Sequence, residues 1–456
     1  MPRVNNYRAA LDYLYSLQKF GIKLGLENIR KLLAALGNPE RAFNFNCVHV
    51  AGTNGKGSTS AAIASIIRAS GKKTGLFTSP HLMDFTERIK IDGDEITEEE
   101  TVRLALEIKN VIEKVKNLQG LKPTFFEFVT AMALLYFRER NVEWAVLETG
   151  MGGRLDSTNV VTPAVSVITP VGIDHKEFLG QSLKEIAFEK AGIIKREVPV
   201  VLGPQKKEAL EIFSETAAYN SSALYLYGRD FGAAIKSSSA EGVEFDFFCS
   251  GADSHRGHDG RQGLSGLFSP LAGDYQAANA AAAVMAAHIA GFHDDADIRA
   301  GLSKVALPGR LELVSHSPEI RLDGAHNPEA AQALAGALKK FMLPAGRKLV
   351  LVLGIMGDKD MKGIMSALLP LASKTIFTAP AYGRAASPGE LEKLSRSMGY
   401  REVICADSVA KAIAEAKELA APEDLILITG SFYTAGEAKT VLKGQAGKFS
   451  RLRETL

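Results

Sequence analysis

A doubly wound α/β fold in two units is what the sequence predicts, and three observations predict it. Short apolar, β-branched runs alternate with helical stretches along most of the chain. The first such run breaks into three glycines within six residues, Gly52, Gly55 and Gly57, and resumes with helical spacing. The alternation lapses between about 221 and 272, then restarts beyond Leu307-Pro308-Gly309. The expected organisation is one unit over 1–307 on a mostly parallel sheet, and a smaller α/β unit over 308–456.

Residues 6–19 and 26–36 read as two helices, the second stopped by Gly37-Asn38-Pro39. Cys47–Ala51 is the first strand, and Lys73–Phe77 a second that leads into Thr78-Ser-Pro-His-Leu82. The stretch 98–117 is a charged amphipathic helix, whereas 124–138 is apolar almost all round and belongs inside. Strands follow at 142–147, 164–168 and 198–202, with a helix at 182–195. The 221–272 region reads as short strands joined by Gly- and Ser-rich connections. Within it, 250–263 carries His255 and His258 and reads as a surface loop rather than a metal tract. Gly273-Asp274 is expected to cap an alanine-rich helix running to about Ala290. In the second unit, strands at 319–322, 348–353, 375–379, 402–405 and 424–429 alternate with helices at 328–341, 360–372, 388–398 and 408–420.

Composition narrows the function classes. Hydrophobic residues make up 46% and charged residues 23% of 456 residues, the balance of an ordinary globular protein. The net charge of +2 is too small for a nucleic-acid surface. Cys47, Cys249 and Cys405 have no metal-ligand spacing and are expected to be buried thiols in a reducing compartment. The N-terminal residues carry no apolar signal core, and no run reaches the ~18 apolar residues that span a bilayer. A cytoplasmic protein, expected to be a monomer without nucleic-acid or membrane partners, is the reading.

The chemistry begins at Cys47–Thr59. A strand, a glycine turn, a lysine and a helix N-terminus make a phosphate cradle, in which backbone N–H groups, the helix dipole and Lys56 all favour anionic oxygens. The common pattern G-x-x-x-x-G-K-[ST] is matched imperfectly. Val50 takes the first glycine position and Gly57 follows the lysine, which leaves Ser58 as the candidate hydroxyl ligand for magnesium. Glu148 stands where a strand yields to Thr-Gly-Met-Gly-Gly, a place from which a carboxylate can hold a hard cation. Spacing alone also permits a solvated turn glutamate there, and a merely structural His175.

Gly52-Thr53-Asn54-Gly55-Lys56-Gly57-Ser58 resembles the nucleotide loop of the folylpolyglutamate synthase and dihydrofolate synthase family, cousins of the Mur ligases. Matching blocks run from about residue 24 to about residue 433. The resemblance implies a P-loop domain followed by a Rossmann-like one. It also implies ATP-driven joining of L-glutamate to dihydropteroate or a reduced folate through an acyl phosphate. Ser58, Ser79, Glu148 and His175 would be ligands of two magnesium ions, and a monovalent cation is admitted. Asn279 would read the adenine, Arg310 and Asp323 would reach ATP from the second unit, and His326 would sit near the transferred phosphate. Lys23-Leu24-Gly25, Thr124-Phe125-Phe126-Glu127 and Leu155-Asp156-Ser157 match pterin-contacting segments, and Ser431 a turn near the incoming glutamate. Phe125 and Phe126 can equally serve the core. Lys190, in Glu-Lys-Ala-Gly-Ile, matches a lysine that becomes a carbamate. Competing readings are a Mur-type peptidoglycan ligase and a non-catalytic ATP-dependent switch. The first usually places about a hundred residues before the loop, where this chain has 46.

Overall fold

A computed structural model describes residues 6–21, 25–41, 46–115, 118, 120–250 and 262–444. The strands of the first unit are β1 (Asn46–Ala51), β2 (Thr74–Phe77), β3 (Ile89–Ile91), β4 (Asp94–Glu95), β5 (Trp144–Glu148), β6 (Val165–Ile168), β7 (Val200–Leu202) and β8 (Leu224–Leu226). They form one sheet in the order β4-β3-β2-β5-β1-β6-β7-β8, parallel except for the β2-β3-β4 edge. β1 lies at the centre between β5 and β6. The strand order reverses beside it, which is where open α/β sheets leave a crevice for ligands.

Alternation along β1 divides the core. Val48 and Val50 pack with helices Lys56–Ala69 and Tyr275–Ile289 on one face. Cys47 joins the cluster built on helix Phe125–Glu139 on the other. Both faces are covered, so the strand is buried on both and, His49 apart, apolar from Cys47 to Ala51. Helix Phe125–Glu139 starts at a reciprocal cap: Thr124 Oγ1 accepts from Glu127 N, and the Glu127 carboxylate accepts from Thr124 N at 2.7 Å.

The lapse in alternation becomes a separate antiparallel sheet, β9 (Phe231–Ser239), β10 (Gly242–Cys249) and β11 (Gln262–Ser269). Val243, Phe245 and Phe247 alternate inward to pack with helix Tyr275–Ile289. Residues 251–261, including His255 and His258, lie outside the described residues. Asp274 stands at the start of the alanine-rich helix but does not cap it; its carboxylate is taken by Lys340 at 2.7 Å and by Ser238.

The second unit holds β12 (Glu312–His316), β13 (Glu319–Leu322), β14 (Leu349–Leu353), β15 (Lys374–Phe377), β16 (Val403–Cys405) and β17 (Leu425–Thr429). Their order is β12-β13-β17-β14-β15-β16, parallel except for the β12-β13 hairpin. Cys405 contradicts the expectation of a buried thiol. It ends the edge strand β16 and is exposed, while Cys47 and Cys249 are buried. The helix expected over 182–195 stops at Ala191, and Ser431 opens a helix, Phe432–Leu442, where only a turn was expected. Among the described residues no helix is long and apolar enough to cross a membrane.

The two units meet through side chains of both kinds. Leu82, from the loop after β2, is buried with Ile320 and Leu322 of the second unit. Lys206 pairs with Glu329 at 3.3 Å, and Arg321 donates to the Ala240 carbonyl at 3.2 Å.

Candidate active site

A cavity of about 1260 Å³ opens at the carboxyl ends of the central strands and is walled by both units. Gly52–Gly57, Ser79, Glu148 and Lys190 line it from the first, and Arg310, His326, Lys359 and Ser431 from the second.

Backbone needs explain the turn after β1. Gly52 has φ +147°, and a Cβ there would lie 1.8 Å from Thr169 Oγ1. Gly55 has φ +87°, and its Cβ would meet Asn279 Oδ1 at 2.4 Å. Only glycine fits either place. The loop is tied to the neighbouring strand end, since Thr53 N and Asn54 N both donate to the Pro170 carbonyl. Lys56 opens helix Lys56–Ala69, so its ammonium and the helix N-terminus share one mouth. At Gly57 a Cβ would make only ordinary contacts, 3.7 Å from Glu148 Oε2.

Glu148 ends β5, is 3% exposed, and accepts from Ser79 N at 3.3 Å. Burial lifts its carboxyl to about 7, against the opposing pull of Lys56. A buried carboxylate beside a hydroxyl residue and a phosphate cradle is the donor set a magnesium ion would ionise and occupy, so the residues present fit that group. His175 lies in the segment after β6, just before the short helix Lys176–Leu179, in the left-handed region at φ +50°. Burial holds its imidazole down at about 3. Ser58 is buried in the first helical turn and does not reach the cavity wall.

Asp174 gathers partners from across the cavity. Lys359 Nζ lies 2.5 Å from its carboxylate and His326 Nε2 3.6 Å, both from the second unit, with His175 Nε2 at 3.9 Å. These partners hold the Asp174 carboxyl far below the usual range although burial opposes them. The His326 ring is oriented by a 2.8 Å hydrogen bond from Nδ1 to the Gly324 carbonyl, which only accepts.

The remaining expected residues divide into those facing the cavity and those supporting it. Arg310 lines it, lies 4.7 Å from the Phe432 ring centroid, and leaves its buried Nε without a partner. Phe126, Leu155 and Ser157 also line it. Phe125 touches the cavity but stacks on Tyr15 at 5.7 Å and is 5% exposed, so it serves the core as well. Thr124 is at the wall, whereas Glu127 spends its carboxylate on the helix cap. Asp156 is buried, accepting from Met151 N at 2.8 Å and Thr158 Oγ1 at 2.6 Å. Asp323 accepts from Leu311 N and Ala325 N at 3.0 and 2.8 Å and so ties together the two segments, before β12 and after β13, that carry Arg310 and His326. Asn279 bonds Gln276 and packs on Gly55 behind the loop. Ser431 caps helix Phe432–Leu442 through Thr434 N at 3.0 Å. Gly25 is described but is not at the cavity wall, and Lys23 and Leu24 lie outside the described residues.

Sequence reasoning missed Lys359 and Asn327. Both sit just after strand ends of the second unit, and that position was the available signal.

Comparisons with known proteins agree with this geometry. The Mur ligase middle domain matches residues 50–287, and the Mur ligase glutamate ligase domain residues 309–432. The folylpolyglutamate synthase of Lacticaseibacillus casei is 36% identical over 448 residues, covering 96% of this chain and 99% of its own length. The dihydrofolate synthase/folylpolyglutamate synthase of Bacillus subtilis is 35% identical, with 96% and 99% covered. Among solved structures, Mycobacterium tuberculosis folylpolyglutamate synthase complexed with ADP superposes with a TM-score of 0.87 at 32% identity, over 96% of this chain and 99% of that one. E. coli FolC in complex with DHPP and ADP gives 0.84 at 32%, over 98% and 100%. With nearly its whole length matched by these proteins at 32–36% identity, the chain belongs to the folylpolyglutamate synthase/dihydrofolate synthase family of Mur ligases.

Proposed function

We propose that this chain is an ATP-dependent amide-forming ligase that adds L-glutamate to dihydropteroate and to reduced folates. The observation that carries the reading is one cavity holding the phosphate turn at Lys56, the buried Glu148 and an aromatic wall at Phe126, closed by Arg310 and His326 of the other unit. Residues 1–307 act as the ATP-binding unit and 308–456 as the glutamate-ligase unit, working as a monomer. Gly52–Ser58 and Arg310 serve ATP directly and Asp323 serves it through the Arg310 segment it ties, while Asn279 behind the loop would read the adenine by exchanging its bond to Gln276 for one to the base. Thr124–Phe126 and Leu155–Ser157 serve the pterin from the wall, with Glu127 capping the helix that carries Phe125 and Phe126. Lys23–Gly25 serve it too, and Ser431 serves the glutamate. Ser79, Glu148 and His175, joined by Ser58 once its hydroxyl turns out of the first helical turn, would hold two magnesium ions, which when bound neutralise phosphate charge.

An acceptor carboxylate oxygen attacks the γ-phosphorus, the bond to the ADP oxygen breaks, and an acyl phosphate forms. The glutamate amine then attacks the acyl carbon, phosphate leaves, and the amine proton must go to a base. His326 Nε2 is placed for that, because the Asp174 carboxylate at 3.6 Å supports the imidazolium. Lys56 and the loop N–H groups stabilise the transferring phosphoryl, and closure of both units keeps water from the acyl phosphate. The test is phosphate release with dihydropteroate or tetrahydrofolate plus glutamate. The expected products are ADP, phosphate and an acid-stable amide. Equal release with a UDP-muramyl acceptor, or with no acceptor, overturns the reading.

A further inference from the structure

His49 lies in the middle of β1 and is fully buried. A buried imidazole there costs more than an aliphatic side chain unless it is hydrogen-bonded. Its Nε2 is 2.8 Å from Thr158 Oγ1, and Thr158 Oγ1 is 2.6 Å from Asp156 Oδ1. Asp156 is also bonded by Met151 N at 2.8 Å, by Thr158 N at 3.0 Å, and by Gly150 N. Those N–H groups only donate, so the carboxylate is an acceptor throughout and receives the Thr158 hydroxyl proton. Thr158 Oγ1 is then left to accept from His49, which requires the neutral tautomer with the proton on Nε2. Burial holds the imidazole down at about 3, so this donor persists at every working pH.

What the relay holds is the cavity wall. Gly150, Met151, Leu155 and Ser157 line the cavity, and Asp156 ties both ends of that loop to itself. The Phe126 ring lies flush on Gly150, where a Cβ would come within 2.6 Å of its Cζ. A loop released from Asp156 therefore loosens Phe126 too. The phosphate turn takes no part in the relay; its own ties run to Pro170 and Gly172.

We propose that His49 is a positioning residue for the pterin-bearing substrate, acting through the Thr158 hydroxyl on Asp156 to hold the Gly150–Ser157 wall and Phe126 in place. The inference rests on the ligase function proposed above. It makes a central strand residue, remote from any reacting atom, a determinant of acceptor affinity rather than of ATP affinity.

The experiment compares KM for dihydropteroate and for ATP in wild type, His49→Leu, Thr158→Val and the double variant. Removing a buried hydrogen-bond partner strands the others, and about a tenfold rise in the dihydropteroate KM is expected from either single change. The ATP KM should stay within about twofold, and the double variant should be no worse than the singles because they break one chain. His49→Gln, which keeps an amide donor near the Nε2 position, should recover most of the affinity. ¹⁵N NMR should show a neutral Nε2–H imidazole from about pH 5 to pH 8. If His49→Leu fails to fold, the nearly isosteric Thr158→Val with the NMR tautomer decides. An equal rise in both KM values, additive single effects, or an Nδ1–H tautomer overturns the relay. A wild type that turns over while its variants keep the acceptor KM overturns the relay alone, whereas a wild type inactive on dihydropteroate and glutamate overturns the ligase reading and the relay with it.

Discussion

Asn54 and Asn327 exchange side-chain amide hydrogen bonds across the two units, Nδ2 to Oδ1 at 3.4 Å and 3.0 Å. One belongs to the phosphate turn and the other caps helix Pro328–Ala337, its Oδ1 also accepting from Ala330 N at 2.9 Å. The pair lets the second unit register the loop directly. Asn327→Ala should lose the cap, at a cost of about 1 kcal/mol, and the bridge together. Asn327→Asp keeps the cap acceptor but loses the donor to Asn54. Its melting temperature should stay near wild type while phosphate release falls. Wild-type turnover in Asn327→Asp would show that the bridge does not matter.

Glu148 should trade stability for function. Its folded carboxyl is lifted to about 7 against an ordinary 4.5, so in the metal-free protein the folded chain holds a proton that the unfolded chain has already lost. The stability is fully present below about pH 4.5 and is lost as pH rises from there through 7, on the order of 3 kcal/mol by pH 8. Glu148→Gln removes the cost, and the amide oxygen can still accept from Ser79 N. The variant should melt higher than wild type at pH 8 without magnesium, and gain little when magnesium is added. Its turnover should fall about 10²–10³-fold. A melting point unchanged by the substitution, or normal turnover, would remove Glu148 from the metal site.

Buried histidines set the opposite slope. His49 is held down at about 3 and His288 at about 4 by burial, below the unfolded value of 6.5. The unfolded chain binds protons first as pH falls below 6.5, so each histidine subtracts stability down to its folded value. The slope approaches ~1.4 kcal/mol per pH unit per residue. Denaturation at several pH values should show this loss between about pH 6 and pH 4, and His49→Gln should flatten it. An unchanged slope in that variant would mean His49 titrates normally.

The fold was legible where local pattern and tertiary role coincide. β1, the glycine turn and the apolar helix Phe125–Glu139 each carry their burial in their own composition. β13 was expected at 319–322, but its hairpin partner β12 was not legible, because Glu312–His316 is half-buried and has no alternating run. Adjacent Phe125 and Phe126 look alike in sequence, yet one helical step sends one towards Tyr15 and the other towards Gly150. Asp174 shows the larger gap. The Asp-His pair is visible locally, but its partners Lys359 and His326 lie 185 and 152 positions away, on the other unit. Asn279 and Glu127 were matched by position, and only packing reveals that their polar groups are spent on Gln276 and on Thr124 N.

The last prediction concerns Lys190. It is 4% exposed and donates to the Gly52 carbonyl at 2.7 Å, at the root of the phosphate turn. Burial, reinforced by Lys56, brings its ammonium down to about 7. Near neutral pH a large share is therefore free amine, the form that reacts with carbon dioxide. The nitrogen lone pair bonds to the carbon, one proton leaves, and a carbamate results. That product would keep one N–H for the Gly52 carbonyl and add two anionic oxygens to the cavity that Glu148 also lines, where an ammonium would repel a bound magnesium ion. The modified fraction should rise with bicarbonate and with pH through about 7, and should be visible as a ¹³C resonance after labelling with [¹³C]bicarbonate. Lys190→Ala should fold, lose at least about 10² of its turnover, and regain part of it with acetate. Activity indifferent to bicarbonate, with no labelled resonance in the magnesium- and nucleotide-bound protein, would leave Lys190 as a structural amine on the phosphate turn.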